Sequence, residues 1–211
     1  MGFRIGSYPE LDRRKLRIRP LAERRNKVHI ERDHVNPDAP PRRLPSSTMA
    51  VIREAAAKIR QARRRKKAVI LAFGAHTIKN GLGPVLIRLM EEGWVTHLAT
   101  NGAGIIHDWE FAFQGASSED VEQGVRTGRF GLWEETGLYI NLALAVGAYE
   151  GLGYGESVGS MVQNGGLTIP SPAELKTKIA AAGRNPDIAA AAADLLGLAR
   201  SFRLKPGWKS I

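Results

Sequence analysis

Two glycine-bearing clusters hold the residues best suited to chemistry. The first is Gly74-Ala75-His76-Thr77-Ile78-Lys79-Asn80-Gly81. The second is Thr100-Asn101-Gly102-Ala103-Gly104-Ile105-Ile106-His107-Asp108. Small residues let a backbone come close to a ligand. A helix that opens on such a loop offers free N–H groups and the positive end of its dipole to an anion. Gly102 and Gly104 also fit plain turn positions, and His107 fits equally a capping or core-edge histidine.

Other constellations point to less. His76, His97 and Asp108 are possible metal ligands, but no two share a ligand spacing on one helix, so no metal is expected. Glu134 and Glu135 are adjacent and point to different faces of a helix, which suits a solvated or interface role. Gly115-Ala116-Ser117-Ser118 lacks the G-x-S-x-G frame of a nucleophile elbow, and there is no Walker loop. The absence of cysteine excludes disulfides and thiolate sites. The residues themselves identify no catalytic group.

The elements around the clusters read as α/β. The apolar run 67–73 and the run 95–99 are strands, each opening into one of the clusters. An amphipathic helix over 84–92 joins them, and a right-handed crossover lays it on one sheet face. A loop at the carboxyl end of a parallel strand is where open α/β sheets bind ligands. Ser46-Ser47-Thr48 predicts the cap of a helix over about 49–65, with apolar positions Val51, Ile52, Ala55, Ala56 and Ile59. Ser117-Ser118-Glu119-Asp120 predicts another helix start. Helices are expected from Trp133 to about Tyr149 and around 157–162. Ser171-Pro172-Ala173-Glu174 and Asn185-Pro186-Asp187 each signal a capped helix start. The last two helices run over about 172–182 and from 186 to Arg200.

The 211 residues carry a net charge of +10, unevenly spread. Residues 1–67 hold 20 Lys and Arg against 7 Asp and Glu, while the remainder holds 11 against 14. Residues 1–48 are polar and broken by six prolines, which predicts an irregular basic arm ahead of a domain over 49–211. A basic arm is one footprint of nucleic-acid binding, but aromatics that stack bases are sparse beside these charges. Nucleic acid is therefore the less favoured partner, and a solvated arm or one that wraps a neighbouring subunit is the plainer reading. No apolar run approaches the roughly 20 residues that span a bilayer. The opening Met1-Gly2-Phe3-Arg4-Ile5-Gly6 has no apolar signal core, so no membrane association and a cytoplasmic location are expected.

The two clusters, with Glu134-Glu135-Thr136-Gly137 and Leu21-Ala22-Glu23-Arg24-Arg25, resemble the deoxyhypusine synthase family, especially its bacterial deoxyhypusine-synthase-like branch. The resemblance covers most of residues 20–211. It implies a Rossmann-like parallel sheet flanked by helices, with a helical C-terminal extension, in a homotetramer that binds NAD. The implied reaction moves an aminobutyl group from a polyamine to an amine acceptor. By the same resemblance, Thr100, Asn101, Gly102, Ala103 and Gly104 lie against the cofactor, with Gly74, His76, Thr77, Asn80, His107 and Asp108 nearby. The family's acidic pair becomes Ile106-His107 here, with Asp108 retained. The half carrying the catalytic lysine is absent, which implies the N-terminal part of a longer enzyme. A non-catalytic subunit and a nucleic-acid-binding module are the alternative readings.

Overall fold

The computed structural model describes residues 11–183 and 185–210, except for the side chains of 208–210. In chain order its elements are β1 (Asn26–His29), α1 (Ile30–Asp33), α2 (Ser46–Arg64), β2 (Ile70–Ala72), α3 (Ala75–Lys79) and α4 (Gly83–Glu91). Then come β3 (His97–Ala99), α5 (Gly102–Gln114), β4 (Ala116–Glu119), α6 (Val121–Arg126) and α7 (Glu134–Glu150). The chain continues through α8 (Tyr154–Asn164), β5 (Gly166–Ile169), α9 (Pro172–Ala181), α10 (Pro186–Ser201) and β6 (Gly207–Ser210).

The α/β class holds, with helices dominant and strands short. The expected parallel pair is present: β2 and β3 align Ile70 with His97, Leu71 with Leu98, and Ala72 with Ala99. The broad parallel sheet is not formed among the described residues. The other pairings, β1–β4 and β5–β6, are antiparallel, and each sheet has two strands. Strands of three or four residues with one neighbour each cannot build a doubly wound sheet. The helical part carries most of the core instead.

That core joins α5, α7, α8, β5, α9 and α10. Trp109, Ala143, Val146, Met161, Leu175, Ala192 and Leu195 are all almost fully buried in it. A satellite cluster of Ile78, Leu86 and Phe111 sits under the glycine loops. The α7–α8 contact depends on Gly147, because a Cβ there would overlap the Ser157 side chain.

Two expectations fail for identifiable reasons. Residues 117–119 start no helix. They form β4 against β1, pairing Val28 with Ser117 and Asn26 with Glu119. Ser118 has φ +67, so strand alternation breaks and Ala116, Ser117 and Ser118 are all buried. Asp120, not a serine, caps the following α6 by accepting from the Gln123 N–H. The arm, moreover, is only partly irregular. It supplies β1 and α1, and Leu21 is fully buried in the main core. The caps expected for the last two helices form, while Ser46, Ser47 and Thr48 lie inside α2 and cap nothing. Ser171 and Glu174 form a reciprocal capping box on α9, and the Asn185 side chain caps α10. Helix α2 begins at Ser46 rather than after Thr48, because the Met49 N–H already donates to the Pro45 carbonyl. It buries none of its residues, and Val51 and Ile52 stay exposed.

Candidate functional site

The parallel register sets both glycine loops at the same end of β2 and β3. The Phe73 N–H donates to the Ala99 carbonyl at 2.9 Å, so Gly74 and Thr100 leave the strands side by side. Helix α3 starts behind Gly74 and α5 behind Asn101. The Asn101 side chain accepts from the Gly104 N–H at 3.1 Å, as an N-cap residue should. Gly102 and Ala103 stand ahead of that capped group at the electropositive N-terminal end of α5.

Exposure divides the expected site residues. Gly74, His76, Asn80, Thr100, Asn101, Ala103 and Asp108 are exposed. Thr77, Gly102 and His107 are half-buried, and Gly104 is buried. The three glycines have different reasons to lack a side chain. A Cβ on Gly104 would lie 2.6 Å from Thr100 Oγ1, so Gly104 is small to admit its own loop. A Cβ on Gly102 would lie 3.2 Å from Tyr154 Cε1, so the ring that opens α8 covers that position. Nothing lies within 4 Å of a Cβ on Gly74, whose backbone is ordinary extended chain with φ −91. Only Gly74 therefore leaves its backbone bare without a packing reason. With exposed Ala103, it leaves a stretch of backbone open to approach.

His107 and Asp108 diverge. Asp108 keeps an exposed surface and faces a groove of about 150 Å³ lined by Ile30, Ile78, Gly81, Ile87 and Phe111. Desolvation beside that apolar wall pushes its carboxyl up. His107 turns the other way, towards β4. Its Nδ1 lies 2.7 Å from Ser117 Oγ, and Ser117 Oγ donates to Glu110 Oε2 at 2.6 Å.

Glu110 is the centre of a buried polar chain. Arg24 Nη1 donates to Glu110 Oε1 at 2.5 Å, and Arg24 Nε donates to Asn26 Oδ1 at 2.8 Å. Both Arg24 and Glu110 are almost fully buried, and Ser117 is wholly so. Burial pushes the Glu110 carboxyl up, but nearby His107, the donors Arg24 and Ser117 and the Arg24 charge outweigh it, and its pKa falls to about 2. Arg24 Nη2 and Glu119 Oε1 are buried without a hydrogen-bond partner among the described residues. Both residues line a cavity of about 70 Å³. That space is roomy enough for water to satisfy both groups.

The sequence names His107 but misses Arg24, Glu110 and Ser117 as its partners. Glu110 does carry a signal, as a carboxylate one helical turn after His107 on the same face. Arg24 carries none, lying 86 residues away in a segment expected to be irregular. Among the described residues no three His, Asp or Glu side chains gather as a metal site, and no helix is long and apolar enough to cross a membrane. No family model matches the chain, and neither does any curated protein or solved structure.

Proposed function

We propose that this chain is the cofactor-binding part of a deoxyhypusine-synthase-like transferase. In that reading it binds NAD over the two glycine loops and serves the transfer of an aminobutyl group from a polyamine to an amine. The observation that carries the reading is the side-by-side exit of Gly74 and Thr100 from parallel strands, with α5 opening directly behind. Paired loops at strand carboxyl ends, with a helix N-terminus between ligand and core, are how α/β proteins hold dinucleotides. NAD would contribute reversible hydride acceptance, while Gly74, Ala103 and the α5 N–H groups would contribute binding. A homotetramer, with sites completed by neighbouring subunits, belongs to the same proposal.

One observation favours a second reading, a non-catalytic subunit. The Tyr154 ring already covers Gly102, where a cofactor would otherwise approach. Native mass spectrometry of the protein from its own cells separates the two. The first reading expects a retained dinucleotide in an oligomer, with NADH formed on adding spermidine. A nucleotide-free assembly that forms no NADH contradicts it and supports the second.

A further inference from the structure

The buried chain Arg24–Glu110–Ser117–His107 fixes more than packing. Glu110 is ionised at neutral pH, so both its oxygens can only accept. Oε1 accepts from Arg24, and Oε2 must therefore take the single hydroxyl proton of Ser117. With that proton committed, Ser117 Oγ has only lone pairs to offer His107. The 2.7 Å contact then requires a proton on His107 Nδ1. A neutral His107 has one proton, so its Nε2 carries the lone pair. No described residue bonds to Nε2, and 21% of the side chain remains exposed.

The position matters as much as the tautomer. His107 lies one turn behind Ala103 on the same helix face. Along that face exposure falls from Ala103, through half-buried His107, to buried Glu110. Along the helix the ring thus lies between exposed Ala103 and the buried charge of Glu110. Residues from three other places in the chain reach Glu110: Ser117 on β4, Arg24 ahead of β1, and Thr136 on α7. The Thr136 Oγ1 donates to Glu110 Oε1 at 3.5 Å. Such a chain of second partners holds an imidazole in one orientation and one protonation pattern.

We propose that Arg24, Glu110 and Ser117 are positioning residues that hold the proton of His107 on Nδ1, so that Nε2 is the proton-accepting atom of the glycine-loop site. The tautomer follows from this structure alone; the ligand it serves, an ammonium group of a polyamine, rests on the proposed function. In that step the ammonium N–H bond breaks and an Nε2–H bond forms. The electron pair stays on the amine nitrogen, and His107 becomes an imidazolium paired with Glu110 through Ser117. Hydride loss from the carbon beside the nitrogen requires the lone pair of the neutral amine.

The test is nitrogen-15 NMR of the histidine rings in the full chain, first without ligand and then with spermidine. The expected result is a neutral His107 protonated at Nδ1. In Ser117→Ala the protonation should move towards Nε2, and Ser117→Thr should restore it. Spermidine should shift the Nε2 resonance in the parent chain. A parent His107 protonated at Nε2, or a tautomer unchanged in Ser117→Ala, would overturn the positioning role; an Nδ1-protonated His107 whose Nε2 is indifferent to spermidine would instead overturn the polyamine ligand and the function it rests on. If Ser117→Ala does not fold, the parent spectrum and its response to spermidine still decide. No NAD is present, so failure of NAD binding cannot imitate any of these results.

Discussion

At the scale of residues, the distinctive feature is a carboxylate that is buried and still charged. Glu110 titrates near 4.5 when unfolded and about 2 when folded. A carboxyl depressed in the folded state adds stability that is fully present above the unfolded value. That stability is lost as pH falls from about 4.5 through 2. The shift corresponds to about 3 kcal/mol by linkage. Denaturant melts of the parent and Glu110→Gln across that range should show a clear loss for the parent and a flatter profile for the variant. Parallel profiles would mean that Glu110 is not charged in the fold. The sequence displayed the glycine loops well, because their signal lies in adjacent residues. It hid the Arg24 partnership, because nothing local distinguishes that arginine from Arg25 beside it. Ser117 was legible only as a cap. Its real setting depends on the left-handed Ser118 and on β1, which the prolines of the arm concealed.

At the scale of elements, two junctions carry testable consequences. Leu21 ties the arm to the main core and is fully buried there, and the Leu21 N–H donates to Glu135 Oε2. Leu21→Ala should lower unfolding stability by about 2–5 kcal/mol, the usual range for emptying a filled apolar site. A loss near zero would show the arm undocked. The second junction is the α7–α8 crossing at Gly147. Gly147→Ala should cost about 1–3 kcal/mol through overpacking against Ser157, although alanine is the better helix former. A stabilised variant would show that the helices do not meet there. Helix starts in this region were legible because capping chemistry is local, as Ser171-Pro172 and Asn185-Pro186 show. Strands β5 and β6 were not, since Gly166-Leu167-Thr168-Ile169 is short and its partner lies at the far end of the chain. The resemblance implied a broad parallel sheet; among the described residues one parallel pair forms, beside two antiparallel pairs.

At the scale of the whole molecule, the chain joins two unequal parts. A small βαβ unit holds both glycine loops over a satellite cluster, and a larger helical part holds the main core. Helix α5 belongs to both. Its first turn opens the candidate site, while Trp109 and Glu110 bury its second half. The decisive measurement is calorimetric titration of NAD into the parent chain and into Gly74→Leu. Leucine fits Gly74 without strain, because φ is ordinary and the space around its Cβ is open. The account predicts saturable NAD binding by the parent and at least a tenfold loss in Gly74→Leu, with the unfolding temperature unchanged. No binding by the parent, or equal affinity in a folded Gly74→Leu, would contradict it.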